Sequence, residues 1–129
     1  MANILVVDDD EVFRVYVGTI LRRVGHTVQE ADNGQLALDL FTATPMDLVI
    51  TDIFMPGMDG IDLLAALRNG PVQAKVIAIS GGYKAMNPRL TLEMSKSFGA
   101  VDILTKPFDS ATLLQKVDGV LRSGQPATA

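Results

Sequence analysis

Residues 49–60 read VITDIFMPGMDG. An apolar, β-branched run stops at Asp52, and turn-forming residues follow at once. With its preceding residues the run is MDLVIT (46–51), too short for a helix and of the length and composition of a strand buried on both faces. A carboxylate at the end of such a strand either begins a turn or is a reactive group displayed by a rigid sheet. Asp52 alone is more often a turn residue, and Asp59-Gly60 is ordinary turn chemistry, so the rest of the chain has to decide.

Outward from that stretch, strand and helix alternate five times. NILVVD (3–8) is a short apolar run ending in acids. Glu11 to Val24 has Phe13, Val17, Ile20, Leu21 and Val24 on one arc at helical spacing, with Gly25 as its stop. TVQEA (27–31) alternates as a strand does, and Asn33-Gly34 leads into a second helix through Phe41. Gly60 to Arg68 is a third helix, closed by Asn69-Gly70-Pro71. KVIAIS (75–80) and AVDILT (100–105) are the fourth and fifth strands, separated by a long stretch with a helix around Arg89–Phe98. Asp109 caps a last helix whose Leu113, Leu114, Val117, Val120 and Leu121 share a face. The expected domain is 1–122, with SGQPATA (123–129) as a polar tail or linker stub. Such alternation implies an α/β protein with a parallel sheet covered by helices on both faces. Ligands of these folds bind beyond the carboxyl ends of the strands, so strand ends map the functional site.

Composition narrows the chemistry. A length of 129 residues suits one domain, and the absence of cysteine excludes disulfides, thiolate metal sites and Cys nucleophiles. A formal net charge of −4 argues against direct nucleic-acid binding. No apolar run approaches the length of a membrane span, so no membrane insertion and a cytoplasmic location are expected.

At the strand ends stand Asp8-Asp9-Asp10, Asp52, Ser80 and Thr105-Lys106-Pro107. Singly, each has an ordinary reading as a cap or a turn; jointly they put carboxylates, a hydroxyl and a lysine on one edge. Two like charges about 4 Å apart repel by about 4 kcal/mol at an effective dielectric of 20, so clustered carboxylates call for a cation. Hard oxygen ligands suit Mg²⁺. Asp8, Asp9 and Asp52 against Mg²⁺ and Lys106 make a formally neutral site. A phosphoryl group entering it would meet metal, ammonium and the Ser80 hydroxyl, the equipment of phosphoryl transfer.

VVDDDEVFR, VITDIFMPGMDG, IAIS and TKPF, in that order, resemble the receiver domain of bacterial two-component response regulators over Asn3 to about Leu121. The resemblance implies a doubly wound, flavodoxin-like (βα)5 fold with strand order 2-1-3-4-5. It implies that Asp52 is the phosphoacceptor, taking a phosphoryl group from the phosphohistidine of a sensor histidine kinase or histidine phosphotransfer protein. It also implies that Asp9 and Asp52 bind Mg²⁺ with the backbone carbonyl of Phe54, and that Asp8 acts through metal-bound water. Lys106 and Ser80 would contact the phosphoryl group, and Lys106-Pro107 would be a cis peptide. Asp10 falls at a variable family position and is read as a helix cap. The product is a signal, a switched protein-interaction surface, and not a released metabolite; the downstream protein target is unknown. Helix one is the docking helix of this family, and Val12, Val15 and Tyr16 lie away from its core arc. Leu92 and the strand-five side are candidate output surfaces.

The chain departs from the family pattern at Ile103, where a switch aromatic is common, and in a long Gly81–Pro88 loop carrying Tyr83. Phe54, two residues past the acceptor, cannot position a hydrolytic water as a polar side chain would. Two rivals fit less well. A haloacid-dehalogenase-type phosphatase could use Asp8-x-Asp10, Ser80 and Lys106, but it leaves Asp52 and the turn after it unexplained. A flavodoxin-like binding module wants a phosphate-cradling loop after strand one, where this chain has three acids.

Overall fold

The computed structural model describes residues 2–52, 60–69, 75–81 and 100–122. The strands are β1 (Asn3–Val7), β2 (Thr27–Ala31), β3 (Leu48–Asp52), β4 (Lys75–Gly81) and β5 (Asp102–Lys106). The helices are α1 (Glu11–Arg23), α2 (Gly34–Ala43), α3 (Gly60–Asn69) and α4 (Ser110–Arg122). All strand pairs are parallel and the order is β2-β1-β3-β4-β5, as the resemblance implies.

The two-residue period of a strand sends alternate side chains to opposite faces, which explains why β1 is continuously apolar from Ile4 to Val7. Ile4 and Val6 join Ile50, Ile77, Ile79 and Leu104 in a core closed by Val17 and Leu21 of α1 and Leu113, Val117 and Val120 of α4. Leu5 and Val7 join Val49, Val76 and Ala78 in a second core, closed by Ala37 of α2 and Leu63 and Leu67 of α3. Each of the fully buried Ile and Leu side chains contributes roughly 1.5–3 kcal/mol by leaving water. The sheet is thus clamped from both sides, and its strand ends are held firmly.

Side chains close the helix starts. The Asp10, Asn33 and Asp109 carboxylate or amide oxygens accept from the backbone N–H of Phe13, Leu36 and Thr112 at 3.2, 2.8 and 2.8 Å. Gly25 ends the first α-turn region with φ 97°, a left-handed conformation that glycine adopts without steric cost.

Several boundaries differ from the sequence reading. β1 stops at Val7, although the Asp8 N–H still donates to the Ala31 carbonyl at 3.1 Å. α1 stops at Arg23, and Val24 is its exposed C-cap and no part of the core arc, because the chain has already turned toward Gly25. α2 runs two residues past Phe41. β3 begins at Leu48; Met46 is buried ahead of it, and Asp47 is tied to Asn3 by reciprocal hydrogen bonds of 2.8 Å. β5 begins at Asp102, where its ladder with Ile77 starts, and carries Lys106 as its last residue. The helix expected around Arg89–Phe98, the 82–88 part of the loop with Tyr83, Leu92 and the tail 123–129 lie outside the described residues.

Candidate functional site

The carboxyl ends of β1, β3 and β5 bring Asp8, Asp9, Asp52 and Lys106 together. Asp52 is the last residue of β3, in register with Ile79 of β4 and 7% exposed, so the central strand of the sheet holds its backbone. Asp8 is fully buried just past β1. One of its oxygens, Oδ1, accepts from the Asp10 N–H at 2.9 Å; the other, Oδ2, accepts from Lys106 Nζ at 3.0 Å. Lys106 Nζ also donates to Asp52 Oδ2 at 3.4 Å. Asp9 is exposed, and one carboxylate oxygen from each of Asp8, Asp9 and Asp52 lies within 4.8 Å of the others.

The electrostatics follow from burial and proximity. Burial pushes the Asp8 carboxyl above its usual range, and the nearby Asp52 charge pushes the same way; the Asp10 N–H and Lys106 oppose this without cancelling it. Burial pulls the Lys106 ammonium down, but the Asp8 contact and then the Asp52 contact outweigh it and hold the group above the usual lysine range. Lys106 is therefore a fixed cation. Three carboxylates against one ammonium leave an excess of negative charge around a partly buried cluster of hard oxygens. That donor set fits a divalent cation of the Mg²⁺ type, which takes oxygen ligands and keeps some of its waters.

The Lys106-Pro107 peptide is cis. Ser80 lies in β4, in register with Thr105 and one residue before the Gly81–Lys106 pair, so its backbone is at the same edge. Phe54, with its carbonyl, lies outside the described residues. Ile103 is half-buried on β5 and packs against the α2/α3 core, where it fills space beside Ala78. Val12, Val15 and Tyr16 are exposed on α1, as their positions on the helix wheel imply.

Two neighbours of the site escaped the sequence reading. Arg14 donates from Nη1 to the Asp8 carbonyl at 2.9 Å and from Nε to Glu30 at 3.2 Å, clasping the β1–α1 turn to β2. Phe13 falls on the core arc by spacing, yet its ring also lies under Lys106, with Nζ 4.1 Å from the ring centroid. The available signal was spacing: residues four and five past Asp9 fall on the first turn of a helix that starts at the site.

Comparison with known proteins agrees with this geometry. Residues 4–118 match the family model of the response regulator receiver domain. The chain is 34% identical over 120 residues to the transcriptional regulatory protein CseB of Streptomyces avermitilis, covering 93% of this chain and 49% of that protein. It is 33% identical over 128 residues to the DNA-binding transcriptional regulator NtrC of Azospirillum brasilense, covering 99% of this chain and 26% of that protein. The chain thus spans about half the length, or less, of these curated relatives. Among solved structures, the receiver domain of NtrX from Brucella abortus superposes with a TM-score of 0.85 at 30% identity, covering 94% of this chain and 99% of that one. The chemotaxis response regulator CheY4 of Vibrio cholerae gives 0.84 at 30% identity, covering 93% and 98%. The match runs through the strands and helices that carry Asp8, Asp9, Asp52 and Lys106, and on it the chain belongs to the response regulator receiver domain family.

Proposed function

We propose that this chain is a phosphoacceptor in a two-component phosphorelay and that Asp52 is the residue phosphorylated. One observation carries the reading: Asp52 ends the central strand with Lys106 Nζ 3.4 Å from its carboxylate and two further carboxylates within 4.8 Å. An Asp52 oxygen attacks the phosphorus of a donor phosphohistidine on a sensor histidine kinase or phosphotransfer protein. The P–O bond forms as the P–N bond breaks, and the imidazole nitrogen leaves with the electron pair and takes a proton from water. Lys106 meets charge on the phosphoryl oxygens, while Ser80 supplies a hydroxyl from the adjacent strand end. Asp8, Asp9 and Asp52, with the Phe54 carbonyl, would hold Mg²⁺, which when bound offsets negative charge at the transferring group. Asp8 contributes a further restraint by fixing Lys106.

The chain itself acts as a switch and not as a turnover enzyme, its only catalysis being of its own phosphorylation and dephosphorylation. The exposed Val12, Val15 and Tyr16 on α1 suit docking of a donor helix. No helix among the described residues is long and apolar enough to cross a membrane. The test is intact-mass spectrometry after incubation with acetyl phosphate, with and without Mg²⁺, on wild type and Asp52→Asn. A single Mg²⁺-dependent phosphoryl adduct, absent in the variant, is the expected result. Donor consumed catalytically without an adduct on Asp52 would overturn it.

A further inference from the structure

Lys106 stands between two carboxylates on one side and an aromatic ring on the other. Its Nζ is 3.0 Å from Asp8 Oδ2, 3.4 Å from Asp52 Oδ2 and 4.1 Å from the centroid of the Phe13 ring. Attraction to carboxylates alone does not fix a lysine, because the side chain has four rotatable bonds and its ammonium is strongly hydrated. A ring face presents negative quadrupole charge and excludes water from the side it covers. The Phe13 ring is itself held. Phe108, two residues beyond Lys106, meets it edge-on with centroids 5.2 Å apart and an interplanar angle of 85°. Its backbone is held as well, since the Phe13 N–H donates to Asp10 Oδ1 at 3.2 Å and the Asp10 N–H donates to Asp8 Oδ1 at 2.9 Å. The contacts form a closed circuit: Asp8 to Asp10, Asp10 to Phe13, Phe13 to Lys106, and Lys106 back to Asp8.

We propose that Phe13 is a positioning residue, whose ring face keeps the Lys106 ammonium aimed at the gap between Asp8 and Asp52. The functional half of this inference rests on the phosphoacceptor reading; the placement of the lysine does not. An apolar side chain of similar bulk would fill the same space but would leave the ammonium free to swing toward solvent. The helix cap thereby sets the aim of a cation on another strand, which links the start of α1 to the chemistry at β3.

The experiment compares wild type, Phe13→Leu, Phe13→Tyr and Ile20→Val. Ile20 packs against the same core from the same helix, about two turns beyond Phe13, so its variant controls for loss of packing. Two readouts are taken: the proton shifts of the Lys106 ε-methylene by NMR, and the rate constant of adduct formation with acetyl phosphate at saturating Mg²⁺. Ring current should move the ε-methylene upfield in wild type, Phe13→Tyr and Ile20→Val, and this shift should vanish in Phe13→Leu. The rate constant should fall about three- to tenfold in Phe13→Leu, the range a partly desolvated cation–π contact spans, and stay near wild type in the other two. The proposal is overturned by a Phe13→Leu protein that keeps the wild-type rate, by a Phe13→Tyr or Ile20→Val protein slowed as much as Phe13→Leu, or by a wild-type lysine with no upfield shift. A wild type that takes no adduct at all sinks the phosphoacceptor reading instead, and the methylene shift still decides where the ring holds the lysine.

Discussion

Asp8→Asn should make the metal-free protein more stable. In the folded state Asp8 is fully buried, and its Oδ2 is 3.0 Å from Lys106 Nζ, a separation at which opposite charges attract by about 5.5 kcal/mol at an effective dielectric of 20. Against this, its carboxylate lies within 4.8 Å of those of Asp52 and Asp9, and each such pair repels by about 3.5 kcal/mol if fully felt. Asp9 is exposed, so its share is reduced by solvent. Attraction and repulsion therefore come close to cancelling. The cost of removing the carboxylate from water, several kcal/mol for an ion at a buried site, is then offset only in part, by the Asp10 N–H that Oδ1 accepts at 2.9 Å. The upward push on the Asp8 carboxyl has the same sign. Asparagine removes that cost but surrenders one charge-assisted hydrogen bond, so the net gain should be about 1–2 kcal/mol, or roughly 4–7 °C in Tm for a domain of this size. Thermal unfolding in EDTA reads it directly. In saturating Mg²⁺ the order should invert, because wild type gains the binding free energy of the cation and the variant, short of one ligand charge, gains less. A variant less stable than wild type in EDTA would show that the Lys106 pair dominates the site, and would refute this account.

Gly18 sits buried in α1, and the atoms nearest to a Cβ there would be the side-chain ends of Arg22 and Glu30, at 3.2 and 3.3 Å. Those tips can move, so Gly18→Ala should stabilise by up to about 1 kcal/mol through helix propensity; a lower urea midpoint would mean that the Arg22–Glu30 pair cannot yield. The Thr112 N–H holds the Asp109 carboxyl below its usual range, so the cap stabilises the fold above the unfolded value of 3.8 and loses that effect as pH falls through the lower folded value. Asp109→Ala should accordingly lower the denaturant midpoint at neutral pH, by an amount that shrinks as pH falls below 3.8; a pH-independent difference would rule out the charged cap. Phe54→Asn should change the lifetime of the phosphorylated protein, measured as adduct decay by mass spectrometry; equal decay rates would rule out a role for this side chain in water access.

Much of this fold could be read from the chain because its inner strands β1, β3 and β4 are buried on both faces and its helices on one, so apolar runs and helical spacing alternate along the sequence. The boundaries that moved are those where tertiary contacts overrode local pattern. Val24 continues the apolar arc of α1 by spacing, but the left-handed Gly25 ends the helix before that residue can reach the core. Met46 extends the apolar run of β3 and is buried, yet the strand ladder starts only at Leu48. The gathering of Asp8, Asp9, Asp52 and Lys106 followed from strand ends converging on one edge, a property of parallel sheets. The partners within that cluster did not follow. Asp8 is the nearer carboxylate to Lys106, and Phe13 serves both core and site, because side-chain direction at a helix start depends on a cap geometry that sequence spacing does not encode.

The charges at this edge also say why a phosphoryl group there should be felt elsewhere. Asp8, Asp9 and Asp52 with Lys106 leave a formal −2, which one divalent cation balances. On the proposed reading, phosphorylation of Asp52 would replace a single negative charge with about −1.5 to −2 and add strong acceptor oxygens. The balance struck with such a cation would then be lost, and new donors would have to meet the group. Lys106 is already engaged by Asp8 and braced by Phe13, so it has little further to move. Among the described residues, the end of β4 at Ser80 and Gly81 is backbone at this edge that can bring another donor, paired to β5 beside Lys106. With Ile103 packed as a branched aliphatic side chain against the α2/α3 core, no aromatic ring at that position is available to relay the change. The response should therefore pass along the backbone leaving β4 and not through a ring turning inward on β5.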